Sequence, residues 1–133
     1  MKEQERIIWP FPSDWDIKKC KKYKTTFKNR LNNFRKRCQD REQISPFRIF
    51  NYIKENPYCY ISGEKIDVYN LDSWVFDHYI PVSNGGRGEL SNLKISSPKY
   101  NRMKSNILFN QFIKMCAKVL YYQIVGKRIR FAK

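Results

Sequence analysis

Apolar residues recur early in the chain at Cys20, Tyr23, Phe27, Leu31, Phe34 and Cys38, in steps of 3, 4, 4, 3 and 4. That spacing keeps one face of a helix apolar. Ser13 reads as its N-cap, and Asp14 and Asp16 stand where a helix N-terminus favours negative charge. The predicted helix ends near Cys38, and about 25 residues of it would span roughly 37 Å. A second start signal, Ser45-Pro46, precedes a short stripe of Phe47, Phe50 and Ile53 that Asn56-Pro57 closes.

The period then changes. Tyr58 to Val68 predicts two β segments around a Ser62-Gly63 turn, and Ser73 to Tyr79 is a further β-prone run closed by Pro81. Ser83 to Gly88 holds three of the five glycines and reads as a loop. Ser97-Pro98 opens a third helix. A longer one covers Ile107 to Val125, with Leu108, Phe112, Met115, Cys116, Val119 and Ile124 apolar and Gly126 as its stop. No internal repeat or low-complexity segment interrupts this order.

A length of 133 residues suits one domain, with room for an appended arm. The hydrophobic share of 41% and aromatic share of 16% exclude wholesale disorder. No run approaches the roughly 18 to 20 apolar residues of a bilayer-spanning helix, and MKEQER begins no signal peptide. An intracellular, cytoplasmic protein is the expectation, with no membrane partner. The four cysteines, Cys20, Cys38, Cys59 and Cys116, lack the close pairing of a structural zinc site and read as free thiols.

Charge narrows the partners. Lys and Arg number 27 against 12 Asp and Glu, a net charge of +15, and nucleic acid is the commonest counterpart of such a surplus. The first helix carries much of it: Lys18, Lys19, Lys21, Lys22, Lys24, Lys28, Arg30, Arg35, Lys36 and Arg37 cover its polar faces. Lys18, Lys22, Arg30 and Arg37 are candidate phosphate contacts, the alternative being a solvated basic face.

The most informative stretch is Cys59 to Ser105. It contains Asp77-His78-Tyr79-Ile80-Pro81, then Ser83-Asn84-Gly85-Gly86, Ser91-Asn92-Leu93 and Asn101-Arg102-Met103-Lys104. Asn92 and Asn101 follow His78 by 14 and 23 residues. In these elements, their order and their spacing, the chain resembles the HNH nuclease family, in its H-N-N variant, and is similar to the HNH domains of phage homing endonucleases and RNA-guided CRISPR nucleases. The resemblance covers about a third of the chain. It implies a ββα-metal core over residues 57–106. With the helices read from the flanking sequence, the expected fold is α+β: that core, a basic helical arm over 1–56 that packs on it and contacts DNA, and a C-terminal helix with a basic tail over 107–133.

The residue types suit the implied chemistry. Phosphodiester hydrolysis needs a base for the attacking water and a cation on the developing charge. His78 is the only histidine, and an ordinary imidazole, titrating near ~6.5, is largely neutral at pH 7. By resemblance it is the general base, while Asp77 and Asn101 give oxygen ligands to one divalent cation, Mg²⁺ or alternatively Mn²⁺. Adjacent strand residues point to opposite faces, so Asp77 and His78 need a bend or a strand end to converge. Asn92, by resemblance, pins the loop backbone and orients the histidine. Arg87, Arg102 and Lys104 join the candidate DNA contacts.

One departure from the family concerns zinc. Many members carry two CxxC pairs around the core, and the matching positions here are Cys59 and Ser62, then Ser97 and Tyr100. The expectation is therefore no structural zinc, with Tyr58, Tyr60, Ile61, Trp74, Phe76 and Tyr100 packing the core instead. The resemblance implies a metal-dependent DNA endonuclease, either phage-encoded and active in a host cell or of homing type. A basic nucleic-acid-binding protein with an inactive core is the alternative. A monomer that nicks is expected, because the first apolar stripe reads as packing on its own core; a dimer on DNA is the alternative.

Overall fold

Asp16 caps the first helix, its carboxylate accepting the Lys19 amide at 2.7 Å. Helix α1 accordingly spans Ile17–Lys36, and Ser13 lies in a turn ahead of it rather than at its cap. Packing explains the later start. Trp15 stacks on Phe11 at 5.3 Å and tilts against Tyr23 at 5.6 Å, which folds the lead-in back along the helix before the helix begins. The computed structural model describes residues 8–36 and 45–127; Arg37 and Cys38 lie outside them.

The second helix, α2 (Pro46–Glu55), obeys its sequence signals. Ser45 Oγ accepts the Arg48 amide at 3.2 Å, Pro46 occupies the first turn, and Asn56 closes the helix. Ile49, Phe50 and Ile53 are its buried residues.

Residues 58–68 depart from expectation. In place of two paired segments the backbone makes one bridge, Tyr58 to Lys65, around a turn with Gly63 at φ 74°. Cys59 and Glu64 close the turn so early that no ladder can extend, and the Tyr60 amide bonds to the Ile95 carbonyl at 3.0 Å instead. Tyr58, at 54% exposure, is on the outer side and does not pack the core.

Strands β1 (Val75–His78) and β2 (Leu93–Ser96) pair antiparallel, with Asp77 opposite Lys94 and His78 opposite Leu93. Ser97 leads into α3 (Pro98–Lys104), so the order strand, strand, helix expected of residues 57–106 is present from Val75 onward. A longer helix, α4 (Phe109–Tyr121), follows and runs on through a wide π turn, Tyr122–Gly126. Gly126 does not stop it, for the chain stays right-handed at Lys127, where φ is −63°. Glycine permits a left-handed stop but does not impose one.

The molecule is thus α+β, with both early helices sharing one core with the strands. Phe27, Leu31, Phe50 and Trp74 are fully enclosed, and Trp9 joins Phe27 and Phe50 through ring contacts of 5.3 and 4.8 Å. The α1 stripe packs inward as expected, with Tyr23, Phe27, Leu31 and Phe34 all buried. Among the described residues no helix is long and apolar enough to cross a membrane.

Candidate active site

A cleft of about 780 Å³ opens between α1, the end of β1 and α3, and Asp77, His78, Asn101, Arg102 and Lys104 all line it. His78 is the last residue of β1. The strand end therefore lets two neighbours reach one cleft although their side chains leave opposite faces of the strand. His78 turns toward α1, where its ring stacks on Phe34 at 3.9 Å and 11°. Its Nε2 lies 3.0 Å from the Phe34 carbonyl oxygen. A carbonyl only accepts, so Nε2 carries the hydrogen, and the lone pair of a neutral ring is on Nδ1.

Asp77 turns the other way, into a set of polar groups. The Tyr60 hydroxyl donates to its Oδ2. Burial, this hydrogen bond and the nearby carboxylate charge push the Tyr60 phenol well above the ordinary tyrosine range, so it stays a donor. Lys104 Nζ is 3.6 Å from the same oxygen, fully enclosed and without a hydrogen-bond partner among the described residues. A place among solvent-facing phosphates does not suit so buried an ammonium; the charge it meets is Asp77.

Asn101, on α3, brings its carboxamide end to 3.1 and 3.2 Å from the two Asp77 oxygens. With nitrogen inward it donates to the carboxylate. With oxygen inward, the oxygens stand close to the spacing of neighbouring ligands around Mg²⁺, about 3 Å for bonds of about 2.1 Å at right angles. The donor chemistry fits a hard cation held by one carboxylate and one carboxamide, with solvent or phosphate completing the shell. Among the described residues no group of three or more His, Cys, Asp or Glu side chains gathers.

Asn92 sits behind the loop that follows His78. It is buried, its Oδ1 accepts the Ile80 amide at 2.7 Å, and its Nδ2 donates to the carbonyls of Ile80 at 3.1 Å and Arg87 at 2.8 Å. The loop is close-packed: a Cβ on Gly86 would come 1.7 Å from the Ile80 carbonyl oxygen, so this position admits glycine alone. These contacts tie the Asn92 side chain to the backbone at both ends of the loop.

The remaining cations differ in what they touch. Arg102 is exposed and faces the cleft. Arg30 also lines it but is engaged by the Leu71 carbonyl and, at 3.6 Å, by Asp72. Arg87 pairs with Glu89 at 3.4 Å on the surface. Lys18 and Lys22 are exposed on a separate face of α1, bordering a second groove with Trp15 and Tyr69.

Of the four positions matching the zinc-binding pairs, Cys59, Ser62 and Ser97 are joined by hydrogen bonds, and Tyr100 bonds elsewhere. The Ser97 amide donates to Cys59 Sγ at 3.4 Å, and Tyr100 donates to Glu64 at 2.9 Å across the same turn. Burial opposes ionisation of Cys59, yet the bonds from Ser62, Ser97 and Ile61 outweigh it and hold the thiol below its ordinary range. Tyr60 and the burial of Lys104 are the site features that the sequence pattern did not reveal. Compared with known proteins, the chain matches no family model and no curated relative.

Proposed function

We propose that the chain is a metal-dependent endonuclease hydrolysing DNA phosphodiester bonds, as its resemblance to HNH nucleases implies. The observation that carries this reading is the convergence of Asp77, His78 and Asn101 on one cleft beside Arg102. Nδ1 of His78 takes the proton of the attacking water, while the Phe34 carbonyl keeps the ring in the tautomer that leaves this nitrogen basic. Asp77 and Asn101 hold the cation, with Mg²⁺ the best match to their oxygens and Mn²⁺ next. When bound, such an ion offsets charge that develops on the phosphoryl and leaving oxygens. Tyr60 and Lys104 fix the Asp77 carboxylate from behind, Asn92 holds the loop after His78, and Arg102 meets a substrate phosphate.

The test is incubation of supercoiled plasmid with the protein, with and without Mg²⁺, followed by a gel. Cutting that needs Mg²⁺ and vanishes in EDTA is the expected outcome. Undiminished cutting in EDTA defeats the one-metal reading. DNA retained but uncut with every divalent cation would leave a basic binding protein instead.

A further inference from the structure

Helix α4 leaves most of its apolar surface without a partner among the described residues. The body buries Phe112, whereas Met115, Val119, Leu120 and Ile124 are each more than half exposed. Ile113, Cys116, Leu120 and Ile124 follow steps of 3, 4 and 4, and Met115, Val119 and Tyr122 steps of 4 and 3. The two rows adjoin and form one broad stripe, with Gln123 as a polar position at its far end, while Lys114 and Lys118 fall on the other side of the helix. An apolar surface of this extent marks a contact site.

We propose that this stripe joins two copies of the chain. Its exposed side chains offer roughly 700 Å² per copy, on a scale where a large aromatic buries about 150 to 250 Å². A standard stable interface buries about 800 Å² on each partner. Lys114 and Lys118 stay outside the seam, so pairing does not press like charges together. The segments outside the described residues are dominated by charged and amide side chains, with Met1, Ile7, Cys38, Ile44, Ile129 and Phe131 as their large apolar members, too few to cover the stripe. Aliphatic rows also offer nothing to phosphate. A stripe packed on its own copy is self-complementary about a two-fold axis.

The stripe that led to the expectation of a monomer is the one on α1, and that one is internal. The stripe on α4 is the one left over. Residues 105–108 connect α3, which carries Asn101, to α4, so a two-fold axis through α4 relates two clefts by a dyad. The two strands of duplex DNA share that symmetry. This consequence rests on the nuclease reading; the dimer does not.

The test is the mass of the full chain in solution at micromolar concentration, by sedimentation equilibrium. Twice the mass of one chain is expected. Leu120→Asp should halve that mass while far-ultraviolet circular dichroism and the melting temperature hold. Should that variant lose its fold, Met115→Gln with Val119→Gln supplies the same reading. A short bis-maleimide should link two wild-type chains through Cys116, near the middle of the stripe, and Cys116→Ser should abolish the link. A single-chain mass for the wild type, or a dimer that survives the folded variants, overturns the proposal. A single-chain species that binds phosphatidylserine vesicles overturns it in favour of a lipid surface. None of these readouts involves cleavage, so a folded dimer that cuts nothing would fault the nuclease reading alone.

Discussion

The Lys104 ammonium lies 3.6 Å from the Asp77 carboxylate with 1% of its side chain exposed and no hydrogen-bond partner among the described residues. A buried ion pair contributes little net stability when intact but is expensive to break from one side. The two charges at the heart of the candidate site are therefore linked in stability as well as in chemistry.

Removing either partner should destabilise, by unequal amounts. Asp77→Ala strands a buried cation and should cost about 3 kcal/mol or more. Lys104→Met keeps the volume and leaves Asp77 its bond from Tyr60 and a partial exposure to solvent, so it should destabilise by less than Asp77→Ala. The double variant should recover most of the deficit seen in Asp77→Ala. Thermal or urea melts of the three proteins measure this, and a double variant as unstable as Asp77→Ala alone would show that the pair is not coupled.

Tyr60→Phe tests the positioning of the same carboxylate. Removing a group that holds a metal ligand from behind typically alters affinity by about 10-fold or more. The Mg²⁺ concentration for half-maximal cutting should rise by about that factor, and calorimetric Mg²⁺ affinity should fall with it. The sign of the pH effect follows from the raised Tyr60 phenol. The hydrogen bond is fully present below the ordinary tyrosine value of about 10 and disappears only as pH rises above it. The ratio of wild type to variant should therefore be flat between about pH 6 and 9. A ratio that swings within that window assigns the effect to another group.

His78→Ala should lower cleavage by roughly 10²-fold or more, the scale of general-base catalysis, with DNA affinity little changed. Phe34 adds a second readout, because its ring stacks on the imidazole at 3.9 Å. Phe34→Leu should slow cutting while leaving the Mg²⁺ requirement in place. A His78→Ala protein that cuts at the wild-type rate would remove the base from the mechanism.

The sequence revealed those features that rest on local chemistry. Ser45-Pro46 and Asn56 mark both ends of α2 because capping and proline act within one turn. Asp77, His78, Asn92 and Asn101 are close in space because β1, the loop 79–92, β2 and α3 follow one another in the chain. Features made by distant packing were hidden. Asp16 displaced Ser13 as a cap because Trp15 is drawn onto Phe11 and Tyr23. Tyr60 reaches a carboxylate 17 residues away, and no periodicity announces such a contact. Lys104 reads as a surface cation until α3 is seen to bury it. On α4 the apolar pattern was plain, but a pattern does not say which molecule it packs against.

Salt dependence discriminates among the basic residues that composition alone treats alike. Lys18, Lys21, Lys22 and Lys28 are exposed on α1, whereas Arg30 is tied to Leu71 and Asp72. Removing one lysine–phosphate pair should reduce the slope of log affinity against log salt by about 0.9. If the exposed lysines follow the DNA backbone, changing those four to Gln should flatten the slope by up to about 3.6 and weaken binding uniformly across sequences. Arg30→Gln should alter the slope by far less, because its guanidinium is already committed within the protein. Arg102→Gln, in the cleft, should reduce cutting more than affinity. Fluorescence anisotropy on a short duplex at several salt concentrations, with a plasmid-cutting assay beside it for Arg102→Gln, measures all three. An unchanged slope for the four-lysine variant would make that face of α1 a solvated surface and assign binding to the rim of the cleft.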